Sequence, residues 1–176
     1  MNTLRSLVTL ADLNILIRLV AATVLGGVIG YERERSGKIA GLRTHTLVAL
    51  GSALFTAISF LLYRELPSIN GVIGYDYHLI ANIIVGIGFI GAGAIMRNGD
   101  RVSGTTTAAS LWVVAAIGMA SGLGFFKEAA ATTILAYLVL TALWALEQRM
   151  RKSVHYQHDH PAEAASAAAD EKSAAS

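Results

Sequence analysis

The chain has 176 residues, 54% of them hydrophobic and 15% charged, with a formal charge of +2 at neutral pH and no cysteine. Soluble domains hold roughly 45–50% apolar and about 25% charged residues, so this composition, with a mean hydropathy of +0.54, excludes an ordinary water-soluble domain. The missing cysteines exclude disulfides, thiolate nucleophiles and Cys-ligated metals, and basic residues clustered beside apolar runs argue against a nucleic-acid partner.

A helix needs about 20 mostly apolar residues to cross a hydrocarbon layer of roughly 30 Å. Five segments qualify, at 13–31, 46–63, 79–96, 106–122 and 129–146. Lipid offers no partner to an unpaired backbone amide, so all five are predicted to be helices. The expected fold is an all-α integral membrane domain of five transmembrane helices over 13–146, with an outer segment at 1–12 and a basic juxtamembrane stretch and disordered tail at 147–176. The first apolar run, with Arg5 ahead of it, has the outline of a signal peptide. No small-residue cleavage site precedes a soluble domain and further spans follow, so it is read as a span.

Within that first segment Arg18 is expected to snorkel outward, with Asn14 one turn earlier as its partner, because an arginine at mid-bilayer costs at least about 2.5 kcal/mol. Gly26 and Gly30 make a small-xxx-small pair that lets helices approach closely. The densest charge of the chain follows, in GYERERSGKIAGLRTH (residues 30–45). Glu32, beside a glycine-rich helix end and next to Arg33, suits a paired site better than a lipid-facing one, and that pair is either structural or functional.

At the third segment, His78 and Asn82 form an outer polar pair that caps or binds a neighbouring helix, or contacts a ligand. Gly86, Gly88, Gly91 and Gly93 crowd the same segment. They serve close helix packing, or they mark a broken helix whose backbone faces a cavity. Past the last span, His155, His158 and His160 lack a preformed cage, so no metal site and no cofactor are expected.

Orientation follows from the connections. Arg33, Arg35, Lys38, Arg43, Arg97, Arg101, Arg149, Arg151 and Lys152 lie on one side, against Arg5, Arg64 and Lys127 on the other. That asymmetry predicts the N-terminus outside and the C-terminus in the cytoplasm. Residues 26–51 and 88–118 also echo one another, each with a glycine-rich helix end, a basic turn, a glycine, a threonine and an apolar helix. Two helical hairpins in parallel orientation would make that pattern. Their turns would then bring Glu32, Arg33, Glu34, Arg43, Thr44 and His45 together with Arg97, Asp100, Arg101, Thr106 and Thr107 in one cytoplasmic polar site. Helix starts there would favour anions.

No phosphate loop, HExxH zinc pair, GxSxG elbow or EF-hand loop is present, so the chain is not expected to be an enzyme. Taken together, GGVIGYERERSGKIAGLRTHTLVALGSAL, IVGIGFIGAGAIMRNG and GTTTAASLWVVAAIGMASGLG resemble the MgtC/SapB family of bacterial inner-membrane proteins, over about residues 13–146. Its ERE element corresponds to Glu32, Arg33 and Glu34, and GLRTH to Gly41 through His45. GIGFxGAG corresponds to Gly86 through Gly93, and TTAAxLW to Thr106 through Trp112. The chain departs from the family pattern at His78, Asn82, Val85 and Ser103–Thr105. The resemblance implies about five spans, an inner-membrane location and a role in adaptation to low magnesium, acid or stress. It also implies binding to a membrane protein partner or a second copy, with the alternative of magnesium or small-solute transport. Many members carry a cytoplasmic regulatory domain where this chain has only its short tail.

Overall fold

The computed structural model describes residues 2–65, 78–98 and 101–159, with side chains over 13–62, 78, 80–97 and 102–144. Five helices result: α1 (Asn2–Arg35), α2 (Leu42–Glu65), α3 (His78–Ala94), α4 (Thr105–Leu123) and α5 (Phe126–Asp159). Four contain a stretch long and apolar enough to cross a membrane, whereas α3 is the shorter apolar helix among the described residues. The all-helical expectation needs one correction. Between α3 and α4 the chain forms a small antiparallel hairpin, β1 (Met96–Asn98) and β2 (Arg101–Ser103), with Arg97 opposite Val102.

Two helices extend beyond the spans expected from sequence. The N-terminal segment 1–12 belongs to α1 from Asn2 onward, because nothing in it interrupts a run of helix formers before the glycines at 26 and 27. The juxtamembrane stretch continues α5 to Asp159, since EQRMRKSVHYQHD contains neither glycine nor proline. His155 and His158 therefore lie on a helix, and His160 with the rest of the tail lies outside the described residues.

Residues Met1–Tyr137 make one compact unit, and Leu138–Ser176 a second that holds the later part of α5. In the first unit α2 and α4 pack along each other, with α1 and α3 each touching both. Contacts pair His45 with Ser110, Ala49 with Gly118 and Ala53 with Gly122, so α2 and α4 run parallel and their starts share one end of the bundle. The α1/α2 turn and the β-hairpin therefore sit at that same end, called here the basic end. The core between the helices is built from small side chains such as Ala22, Ala49, Ala53 and Ala115, whereas Leu47, Val85 and Phe89 point outward. Buried Arg33, His45 and Thr56 beneath an apolar exterior are the inverse of a water-soluble protein, and suit lipid as the surrounding solvent.

Glycines set the corners. Helix α1 ends with Gly37 at φ 64, the Gly37 amide donating to the Glu34 carbonyl and the Lys38 amide to that of Arg33. At the end of α4, Gly124 takes φ 88, its amide donating to Ser121 and that of Phe125 to Ala120. Both are Schellman terminations, for which a residue without Cβ is preferred. Gly104, which opens α4, is more constrained still: φ is 88 and a Cβ there would lie 1.9 Å from the Ala94 carbonyl oxygen. Gly104→Ala is therefore expected to lower stability by about 2 kcal/mol or more, read as a drop in the melting temperature of the detergent-solubilised protein. Gly37→Ala, with open space around it, should cost less.

Candidate functional site

The basic end holds two layers of polar side chains. In the inner layer Glu32 and Arg33, on the last turns of α1, are buried. Arg33 Nε donates to Glu32 Oε2, and Ser36 Oγ donates to Glu32 Oε1 at 2.8 Å. The sequence folds this way because Gly26 and Gly30 bring α1 hard against α2. A Cβ at Gly26 would come within 2.4 Å of the Ala49 Cβ, and one at Gly30 within 2.8 Å of the Leu42 Cα. That approach buries the charges within the helix bundle, which is tolerable only because they are paired.

His45, on the first turns of α2, is fully buried beside them. Its Nδ1 lies 2.9 Å from the Gly41 carbonyl oxygen and its Nε2 2.9 Å from Ser110 Oγ on α4. A carbonyl only accepts, so Nδ1 carries a proton and donates it. The Ser110 hydroxyl also lies 2.8 Å from the Thr107 carbonyl oxygen and holds a single proton. Two arrangements are self-consistent. In the neutral imidazole Nε2 accepts from Ser110, and in the imidazolium Nε2 donates to Ser110 while Ser110 donates to Thr107.

The outer layer is exposed. Glu34 Oε2 accepts from the Leu42 amide at 2.8 Å and so caps α2, placing a carboxylate where the helix start favours negative charge. Gly41 makes room for it, since a Cβ at that position would lie 1.8 Å from the same oxygen. Arg43, Arg97 and Thr106 are exposed, Thr44 is half-buried and Thr107 is buried. Of the site expected from sequence, then, the structure unites Glu32, Arg33, His45 and Thr107 in a buried centre and leaves Glu34, Arg43, Arg97 and Thr106 on the surface. Asp100 and the Arg101 side chain lie outside the described residues.

The glycine expectation divides in the same way. Gly26 and Gly30 lie hard against α2, and Gly91 meets the Ala108 Cβ at 3.4 Å. Among the described residues Gly86, Gly88 and Gly93 meet no neighbour, since a Cβ on any of them would find nothing within 4 Å. Their helix, α3, is unbroken from His78 to Ala94. Gly86 and Asn82 instead line a groove of about 650 Å³ between α2 and α3. Of the outer pair, His78 is exposed at the start of α3.

Sequence reasoning missed several contributors. Ser110 occupies the variable position of TTAAxLW, and its separation from His45 by 65 residues left no local signal. Gly118 and Gly122 carry the α2/α4 contact, a Cβ there coming within 2.3 Å of the Ala49 carbonyl and 2.5 Å of the Ala53 carbonyl. Their small-xxx-small spacing matches that of Gly26 and Gly30 and could have revealed them. Arg18 does bond Asn14 as expected, at 2.8 Å. It also donates to the Gly122 carbonyl at 2.8 Å and lies 5.7 Å from the Phe60 ring, tying α1 to the ends of α2 and α4.

Residues 19–149 match the model of the MgtC family. This chain belongs to the MgtC family. It is 42% identical over 144 residues to "Putative magnesium transporter YhiD" of Escherichia coli K12, a match covering 81% of this chain and 66% of that protein. Protein MgtC of Salmonella typhimurium is 42% identical over 137 residues, 78% of this chain and 55% of the relative. Protein SapB of Bacillus subtilis is 42% identical over 124 residues, 70% of this chain and 53% of the relative. The chain thus spans between about half and two thirds of these MgtC-family relatives. No solved structure matches it. Family membership and the four long apolar helices together make this a multi-pass membrane protein.

Proposed function

We propose that this chain is a bacterial inner-membrane protein that acts by binding and regulating other membrane components, without catalysis, and that its basic end faces the cytoplasm. The observation that carries this reading is the closure of the buried polar centre. Both carboxylate oxygens of Glu32 and both ring nitrogens of His45 are already engaged. Both groups are also buried, so neither is open to a cation or a reacting atom arriving from solvent. A desolvated magnesium ion asks for oxygen ligands, carboxylates above all. Among the described residues the lining of the α2/α3 groove contains no carboxylate, and its one charged member, Arg43, repels cations.

What remains available is the surface of the basic end. Arg35, Arg43 and Arg97 are exposed there beside the outward apolar side chains of Ile39, Met96 and Val102. Such a surface suits an acidic partner lying at the membrane interface, whether another membrane protein or a second copy. The excess of Lys and Arg in the connections at this end supports the cytoplasmic orientation. The equivalent approaches of Gly30 to His45 and of Gly91 to Ala108 support a parallel repeat of two hairpins. A role connected with magnesium fits the printed name of its Escherichia coli relative, and adaptation to acid or stress is what the family resemblance implies.

Crosslinking in the native host, followed by identification of the attached protein, tests the reading. Arg35→Ala with Arg43→Ala is expected to reduce the crosslinked partner about tenfold, while insertion and melting temperature stay at wild-type values. Undiminished crosslinking by that variant contradicts the assignment. A second reading, conduction of magnesium, is favoured only by the printed name of the Escherichia coli relative.

A further inference from the structure

We infer that the groove between α2 and α3 holds one acyl chain of an anionic phospholipid, with the lipid phosphate bound at Arg43. This goes beyond the binding role proposed above, since it needs no protein partner.

The groove encloses about 650 Å³, within the roughly 300–1,000 Å³ typical of sites that bury a small molecule. Its walls are mostly aliphatic and aromatic, and two glycines make the space. Gly51 on α2 and Gly86 on α3 both line it, and a Cβ on either would meet nothing within 4 Å. The glycine that failed to pack within the chain thus acquires a purpose, namely to keep a channel open along the bundle.

Length selects the occupant. Along α2 the lining runs from Arg43 to Phe55, which at 1.5 Å per residue is about 18 Å. One leaflet of a roughly 30 Å hydrocarbon core is about 15 Å deep. The groove is therefore as long as a single acyl layer, whereas a partner's transmembrane helix would need a seat about twice as long.

Charge selects the headgroup. Among the described residues Arg43 is the one charged member of the lining, and it stands at the groove's basic end. It is exposed and has no ion pair or hydrogen-bond partner among the described residues. Thr44 lines the groove beside it. A guanidinium so placed matches a phosphate by bidentate hydrogen bonding. The nearby acid, Glu34, is held on the α1 side at the Leu42 amide and does not line the groove. At the far end Asn82 and Phe55 close the apolar stretch.

The test is native mass spectrometry of the full chain recovered from phosphatidylcholine vesicles containing a minority of phosphatidylglycerol. Wild-type protein should retain phosphatidylglycerol in preference to phosphatidylcholine. Arg43→Ala should reduce that preference about tenfold. Gly86→Leu and Gly51→Leu, which fill the channel from opposite walls, should lose the lipid. Gly88→Leu is the control: its site is equally open but lies outside the groove, and it should retain lipid as the wild type does. Retention by both filled variants at the wild-type level overturns the inference. So does an Arg43→Ala protein with undiminished headgroup preference, or a neighbouring polypeptide trapped by a Gly51→Cys crosslink with no lipid bound.

Discussion

Glu32→Gln is expected to destabilise the protein by about 3–5 kcal/mol, because it leaves the Arg33 guanidinium buried without its counter-charge. Arg33 is among the most deeply buried side chains of the chain, at 2% exposure, and Glu32 holds its Nε. The amide that replaces the carboxylate keeps one acceptor but supplies no negative charge, and it also weakens the hydrogen bond from Ser36. Removing both charges together is a different perturbation, since two apolar or neutral groups of similar volume cost little in such a site. Glu32→Gln with Arg33→Met should therefore recover much of the lost stability. Thermal unfolding in mild detergent measures both. A Glu32→Gln protein that melts at the wild-type temperature would show that the pair is incidental to the fold.

Gly118→Val is expected to cost about 3 kcal/mol or more and to separate α4 from α2, since overpacking at a tight contact forces backbone movement. The first Cβ atom would already lie 2.3 Å from the Ala49 carbonyl oxygen and 2.9 Å from the Ser52 Cβ. The nearer of these is main chain and cannot swing aside, so Ala49→Gly should not rescue the variant. Because the same helix pair carries the hydrogen bond between His45 and Ser110, the two helices cannot part without breaking it. Gly88→Val, on α3 and facing open space, should be silent in the same melting experiment. Equal losses from Gly118→Val and Gly88→Val would contradict the α2/α4 packing described above.

Much of this was legible in the sequence, for identifiable reasons. Hydropathy reports length and burial in lipid directly, so four long apolar helices followed from it; α3 fell short because apolar character at 79–96 outlasts the helix, which ends at Ala94 before the hairpin. Small-xxx-small spacing located Gly26 and Gly30 because close approach leaves a local mark. The glycines of α3 lack that spacing, so packing and a cavity were both open from sequence, and among the described residues a Cβ at Gly86, Gly88 or Gly93 meets nothing within 4 Å. The pairing of Glu32 with Arg33 was visible because the residues are adjacent. The His45–Ser110 bond was not, because it depends on how two helices meet and no local pattern encodes that. Charge counts placed Arg43 and Arg33 in one cluster. Only the three-dimensional packing separates them, one on the surface and the other sealed beneath it.

The decisive measurement is magnesium uptake into sealed vesicles that contain the purified protein and no other. A centre in which Glu32 and His45 are already satisfied, beside a groove guarded by Arg43, should leave uptake at the level of protein-free vesicles. Uptake that rises with the amount of protein, saturates with magnesium and disappears on replacing Glu32 would instead make the chain a conduit.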